Sequence, residues 1–388
     1  MNVLVANLGS TSFKFRLYEM ETESQVARGA VENIGGDSTI TLFKDDRESS
    51  ESLPLKDHAG AVQACLEKID LNIDHANLAI GFKAVHGGLK SGVTRVNDDL
   101  LDEMERIQST APAHNPVYIK AMKDLRERFP KIPQVAAFET DFHSNVPDRF
   151  RRYAIPASWS DELGIQKFGF HGASHRYIAE RTAEVAPECK RVISCHLGGS
   201  SSLCAIKDGQ SLGATMGMSP QTGLPQSKRC GDFDAFSIPV IMRETGLSLD
   251  EVLNQLGSQS GLLGLSGKSG DMRELQEAAG QGDRDSQLAI DVYIAEIRRH
   301  LGGLVVRLGG IDAIVFTGGI GERSPAIRES VCEQLEFLGI HLSKTRNQNV
   351  EGEAQIHCPD SSQVQIRVLP TNEEIIVARQ TVECLRSS

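Results

Sequence analysis

Ser194–Lys207 reads SCHLGGSSSLCAIK. An apolar approach runs into two glycines and three serines, and a second apolar run follows. Alone, this is a hairpin turn, since Gly and Ser mark tight turns with or without a ligand. A second stretch changes its weight. VLVANLGSTSFK (Val3–Lys14) sets against VISCHLGGSSSL (Val192–Leu203) without a gap. In both, an apolar strand leads to a polar residue, Leu, Gly and a cluster of small hydroxyl side chains, and alternation then resumes. Each reads as strand, tight turn, strand. The copies start about half the chain apart, which predicts a duplicated α/β domain with a cleft between the halves.

A third Gly-rich turn lies in DAIVFTGGIGERSPAIRE (Asp312–Glu329). A buried strand over Ala313–Phe316 meets Gly318, Gly319 and Gly321, and a helix is expected from Ser324-Pro325, a capping serine followed by the proline favoured at the first helical position. Backbone amides at such a strand–helix turn suit phosphate or nucleotide. No Gly-Lys-Ser/Thr follows, so this is not a Walker A loop, and the absence of G-x-G-x-x-G argues against a Rossmann dehydrogenase. Asp234–Gly246 and Ser248–Gly257 read as successive helices, and Asp285–Gly310 as one long core helix. Gln365–Leu385 reads as strand, turn and final helix. The expected division is residues 1–142, completed by a C-terminal helix over 375–388, and a nucleotide-binding domain over 143–374, the chain crossing near Phe142–Pro147.

Bulk properties agree with a two-domain globular protein. The 388 residues exceed one ordinary core. Hydrophobic residues make up 40% and charged residues 24%, an ordinary globular balance. A net charge of −11 argues against nucleic acid or an anionic membrane as partner. No apolar run is long enough to span a bilayer, and the N-terminus lacks the basic region of a signal peptide. None of the eight cysteines falls in a CxxC pair, so free thiols in a reducing cytoplasm are expected. Cys230, in the basic stretch KRCGD, is a candidate nucleophile, and His171 with His175 a candidate helical metal pair lacking a third ligand.

The motifs ANLGSTSFK, VHGG, HNP, FGFHGASH, HLGGSSS, KRCGD, SGLLGLSGKSGDMRE, TGGIGE and PTNEE follow one another along nearly the whole chain. As an ordered series they resemble the acetate kinase family, short-chain carboxylate kinases of the actin-like (ribonuclease H-like), sugar-kinase-like ATPase superfamily. The resemblance implies a duplicated α/β fold, a homodimer, and reversible Mg2+- (or Mn2+-) dependent transfer of the ATP γ-phosphoryl group to a carboxylate. It places Arg229 and His171 on the transferred phosphoryl group. Asn7 and Lys14 would approach the terminal phosphates, with Ser10, Ser12, His196, Gly198, Gly199 and Ser200 in the same phosphate-binding set. Asp271 and Arg273 would bind the nucleoside side, and Gly318, Gly319, Ile320 and Gly321 would border it. Glu373, Asn7 and Glu139 would hold the metal. Lys83, Val85, Ala113, Phe170 and Pro220 would line the acyl pocket. The chemistry is consistent with these residue types. A carboxylate is already ionised at neutral pH and needs no general base. The site has to supply in-line positioning and positive charge.

Departures from the family's pattern cluster near the chemistry. Lys83 stands for an arginine, keeping charge but losing the bidentate fork. Glu139 stands for an aspartate, and the two are read as compensating changes. Ala113 stands for a leucine of the acyl pocket, which predicts room for propionate or butyrate. Gly199 and Ser200 stand for Asn-Gly, so the grip on phosphate is expected from backbone amides and the Ser200–Ser202 hydroxyls. Arg323 stands for an asparagine. The alternatives are a phosphotransferase of the same fold using pyrophosphate or another nucleoside triphosphate, and a non-catalytic relative. A sugar kinase would need a true base, and the nearest candidate, Glu139, is assigned to the metal.

Overall fold

A computed structural model of the chain describes residues 1–45, 47–69, 77–111 and 114–387. The chain divides into two compact units, one of Met1–Ser144 with Asn372–Ser388, the other of Asn145–Thr371. The first carries an eight-stranded sheet built from β1 (Asn2–Leu8), β2 (Phe13–Glu19), β3 (Ser24–Glu32), β4 (Thr39–Lys44), β5 (Arg47–Ser52), β6 (Leu78–Ala84), β7 (Val93–Arg95) and β8 (Gln134–Phe138), in the order β5-β4-β3-β2-β1-β6-β8-β7. The second carries a six-stranded sheet of β9 (Arg191–Leu197), β10 (Ser201–Lys207), β11 (Gln210–Ala214), β12 (Ala313–Thr317), β13 (Ala354–Gln355) and β14 (Gln365–Val368), in the order β11-β10-β9-β12-β14-β13.

The duplication is visible in these orders. The run β3-β2-β1-β6-β8 corresponds to β11-β10-β9-β12-β14. In both, the first strand pairs antiparallel with the second and parallel with a strand reached by a long crossover. This is the doubled α/β architecture that the resemblance implies. One detail differs from the gapless alignment. Leu8 pairs with Phe13 across a four-residue turn, whereas Leu197 pairs with Ser201 across three residues. After the turn the copies are therefore out of step by one: Lys14 faces Asn7, and its counterpart facing His196 is Ser202, not Leu203.

β1 and β9 are buried along almost their whole length, as expected for central strands covered on both faces. In the first unit Leu4, Phe13, Phe15 and Phe82 share a core with Val62, Tyr118 and Met122 from the helices. The final helix, Glu373–Arg386, begins two residues before the expected 375 and lies on β1, β6, β7 and β8. Gly81 permits that approach, because a Cβ there would overlap the Thr381 hydroxyl. In the second unit the long helix Arg284–Leu308 turns Ala289, Tyr293, Ile297, Leu301, Leu304 and Leu308 toward β9 and β10. Asp283 caps its start and Gly309, left-handed, closes its end, the usual asymmetry of helix termini. Among the described residues, no helix is long and apolar enough to cross a membrane.

Candidate active site

In the second unit the two Gly-rich turns abut. A Cβ on Gly198 would stand 3.8 Å from the Gly319 nitrogen. Together with the segments around Ser227 and Ser269–Gln276 they enclose a cavity of about 600 Å3, lined by Gly198, Gly199, Ser227, Lys228, Gly270, Asp271, Arg273, Gln276, Gly319, Ile320, Arg323 and Ser324. Gly318 and Gly321, expected on the same wall, lie beneath it. Gly318 has φ +77°, a Cβ there would strike the Leu197 carbonyl, and its amide donates to Glu322 Oε1 at 2.9 Å. Gly321 packs on Cys195 and Phe316. These two glycines are there for the turn and the packing. Asp271 caps the helix Met272–Gly280 and forms a forked pair with Arg273 at 3.0 and 2.6 Å. That pair holds the Asp271 carboxyl down at about 2, and Arg273 projects 86% exposed at the rim.

The segment Gln226–Arg229 is held by backbone bonds. Ser227 N donates to Gly199 O, Leu262 N to Gln226 O and Ser260 N to Lys228 O. Gly261 and Gly270 come so close that a Cβ on either would collide with this segment. It presents Arg229, whose guanidinium donates to Gln226 Oε1 at 3.0 Å, Pro220 O at 3.3 Å and Ser200 Oγ at 3.4 Å. All three acceptors are neutral. Burial pushes Arg229 below its ordinary value, and among the described residues no carboxylate opposes it. A largely desolvated cation without an anion is costly unless an anion arrives, and such perturbed groups concentrate at functional sites.

The hydroxyls behind the Gly198–Gly199 turn are mostly committed elsewhere. Ser201 Oγ bonds the Tyr293 hydroxyl of the long helix at 2.8 Å, and Ser202 Oγ lies between His171 and His175. Ser200 donates to Gln226 Oε1 at 2.6 Å. The expected three-hydroxyl grip therefore reduces to Ser200 and the backbone. His171 occupies the left-handed region at φ +55° just before the helix Gly172–Val185, and its ring stacks on His196 at 4.2 Å. Phe170 and Pro220 are buried. His171 and His175 both bond hydroxyls, and no group of three His, Cys, Asp or Glu side chains placed to hold a metal ion occurs among the described residues. Burial raises the Cys230 thiol, whose Sγ donates to Gly231 O at 3.2 Å, which disfavours a nucleophilic thiolate.

In the first unit Lys83 at the end of β6, Glu139 just past β8 and Glu373 at the start of the final helix converge. Lys83 Nζ pairs with Glu139 Oε1 at 3.3 Å and also with Glu373 Oε2. Burial alone would push Lys83 down, but Glu373 and Glu139 hold it well above its ordinary value. Asn372 caps the final helix and so places Glu373. Asn7 faces Lys14 across the first hairpin, and both line a cavity of about 370 Å3 with Arg16, Arg28 and Glu374. Buried Tyr118 accepts from Leu8 N at 3.1 Å and donates to Asn7 Oδ1 at 3.5 Å. Asn115 is fully buried and donates to His86 O at 2.9 Å. Ser10 is exposed, and Ser12 and Val85 are half-buried. Ala113 lies outside the described residues.

The Acetokinase family's sequence model matches residues 2–379. The chain belongs to the acetokinase family. It is 40% identical over 393 residues to the acetate kinase of Bacillus subtilis (strain 168), covering 98% of both chains. The acetate kinase of Halalkalibacterium halodurans is 40% identical over 388 residues, covering 98% of this chain and 99% of that one. Solved structures agree: Porphyromonas gingivalis acetate kinase superposes with TM-score 0.89 at 33% identity over 99% of both chains. A propionate kinase from Francisella tularensis subsp. tularensis SCHU S4 gives 0.90 at 33% identity, over 98% of this chain and 99% of that one.

Within this chain, the structure brings Lys83, Glu139 and Glu373 together, groups Gly198, Gly199, Asp271, Arg273, Gly319 and Ile320 around one cavity, and sets Arg229 beside Ser200. Sequence reasoning missed Gln226, the buried amide that fixes Arg229 while donating to Pro220 O at 2.8 Å, and Tyr118. It also missed Gln276, whose amide exchanges hydrogen bonds with Ser324 on the cavity wall. Only the position of Gln226 within the KRCGD-bearing segment could have drawn attention to it.

Proposed function

We propose that this chain is a carboxylate kinase that moves the γ-phosphoryl group of ATP reversibly onto a short-chain carboxylate. The full-length match to curated acetate kinases carries this reading. Arg229, a half-buried guanidinium with only neutral acceptors among the described residues, supports it from within the chain. Arg229 and His171 donate to the transferred phosphoryl oxygens, while Gly198, Gly199, Gly319, Ile320, Asp271 and Arg273 bind the nucleotide. Asn7 and Lys14 approach its phosphates. Lys83 is assigned to the carboxylate acceptor, and Val85, Phe170 and Pro220 are assigned to its alkyl end on the family resemblance, as is Ala113 on the sequence alone.

Glu139 and Glu373 meet on one cation, the Lys83 ammonium, and the family resemblance assigns Asn7 to the same metal as a third oxygen donor. An all-oxygen carboxylate and amide set suits a hard divalent ion such as Mg2+, with Mn2+ as substitute. When bound, the ion neutralises phosphate charge. The chain's own residues orient both reactants, and no protein base is required.

The test traps acyl phosphate with hydroxylamine, using acetate, propionate, butyrate and a hydroxy acid against ATP, GTP and pyrophosphate. Hydroxamate with ATP is expected. Propionate or butyrate should match or exceed acetate, because Ala113 replaces a leucine and a methylene in an apolar pocket is worth only about 1–3 kcal/mol. Acetate preferred more than about tenfold over propionate would overturn the pocket assignment, and formation with pyrophosphate alone would overturn the ATP assignment.

The working unit in this reading is a homodimer in a reducing cytoplasm, where the eight free thiols persist. Supporting the dimer, the helix Ile238–Thr245 buries none of its residues, and Phe236 stands 89% exposed near Val240, with Leu249 and Leu253 exposed on the next helix. Apolar side chains gathered this way mark association surfaces. Phe236→Glu with Val240→Asp should shift the light-scattering mass from dimer to monomer. A wild-type monomer would refute the assignment.

A further inference from the structure

Behind His171 runs a chain of hydrogen bonds whose proton order can be deduced. His175, Ser194 and Ser202 are each 0% exposed. Ser194 Oγ lies 2.8 Å from His175 Nδ1, His175 Nε2 lies 2.8 Å from Ser202 Oγ, and Ser202 Oγ lies 2.8 Å from His171 Nδ1. A neutral imidazole has one donor and one acceptor nitrogen, and a hydroxyl has one proton to give. The Ser202 oxygen could accept from both rings, but Ser202 is fully buried and among the described residues has no acceptor besides these two rings, so its proton goes to one histidine and it accepts from the other.

Only two orders are consistent when both rings are neutral. In the first, Ser194 donates to His175 Nδ1, His175 Nε2–H donates to Ser202, and Ser202 donates to His171 Nδ1. The proton of His171 then resides on Nε2. In the second every bond reverses, and His171 carries its proton on Nδ1. Ionised phosphoryl oxygens accept and do not donate, so a neutral ring tethered through Nδ1 can serve them only in the first order.

We propose that Ser202 and His175 are positioning residues that lock His171 in its Nε2–H tautomer, an inference that rests on His171 facing the phosphoryl group. The ring orientation is held as well. His171 stacks on His196 with an interplanar angle of 26°, and His196 Nδ1 is tied to Ser174 Oγ at 2.8 Å. This accounts for the serine at position 202, whose hydroxyl faces the histidines and is therefore committed to setting a tautomer. A histidine in the wrong tautomer keeps its place and loses its function.

The test combines side-chain 15N NMR of the full-length protein with kinetics. The His171 resonance, assigned by its loss in His171→Gln, should show the Nε2–H pattern in the wild type and tautomer averaging in Ser202→Ala. Ser202→Ala should lower kcat about tenfold or more with KM nearly unchanged. Ser202→Thr, which keeps the hydroxyl, should recover part of that loss. A wild-type Nδ1–H pattern overturns the proposal even if Ser202→Ala does not fold. So does Ser202→Ala with unaltered His171 shifts and kcat. If His171→Gln itself leaves kcat unchanged, the phosphoryl-facing assignment of His171 fails. If it lowers kcat while Ser202→Ala does not, only the tautomer lock fails.

Discussion

Arg229→Ala is expected to lower kcat by about 10²–10³-fold or more, the scale of losing one preorganised donor to transition-state charge, without lowering the melting temperature. Removing an arginine that is paired with a buried carboxylate strands an anion and costs stability. Here the guanidinium rests on Gln226 Oε1, Pro220 O and Ser200 Oγ, and burial lowers its pKa without an opposing charge. Truncation removes a desolvated cation and leaves behind groups that partly satisfy one another, since Ser200 already donates to Gln226. The free protein therefore holds or gains stability while activity collapses, the trade-off expected when a site stores unfavourable charge for its ligand. Arg229→Lys should restore little, because an ammonium keeps the charge but cannot fork across two phosphoryl oxygens. Steady-state kinetics with scanning calorimetry on the three proteins checks this. A kcat within fivefold of wild type, or a marked fall in melting temperature, would show that Arg229 serves the fold instead.

How much of this was legible in the sequence depends on the range of the interaction concerned. The paired hairpins could be read because strand, Leu-Gly turn and strand are local patterns, and the sheet order repeats them. The one-residue difference between their turns could not, because Gly and Ser fill three- and four-residue turns equally well. The serines after Gly199 looked alike in the sequence. Ser201 is claimed by Tyr293, 92 residues away, and Ser202 by histidines about 30 residues back, so their separate duties depend on tertiary packing. Gly318 and Gly321 shared a motif with Gly319, yet only the third dimension separates glycines that shape a turn from one that faces the cavity. Lys83 and Glu139 read as partners from sequence because both depart from the family's pattern with opposite charge. The parallel pairing of β6 with β8 makes them neighbours, and the capped final helix adds Glu373.

That cluster yields the second large effect. Lys83→Arg and Glu139→Asp are each expected to cut kcat/KM and lower stability, and the double variant should recover much of both losses. Lys83 reaches Glu139 at 3.3 Å and touches Glu373. An arginine forces a wider planar head into a space already closed by Glu139, which is 7% exposed. An aspartate alone draws its carboxylate back by one methylene and leaves Lys83 leaning on Glu373. Breaking one partner of a buried ion pair costs about 3–5 kcal/mol when the other is stranded, and the remaining Glu373 contact should hold each single variant below that. Made together, the longer cation meets the shorter anion, and the separation is restored. Groups in direct contact couple by about 0.5–3 kcal/mol, so the cycle should show a coupling of that order in both stability and activation free energy. The sign decides between two histories of the site. Strong positive coupling means that Lys83 and Glu139 are one co-adjusted unit still shaped for catalysis. Additive losses mean that each residue meets its own neighbours separately, and the case for compensation between them disappears.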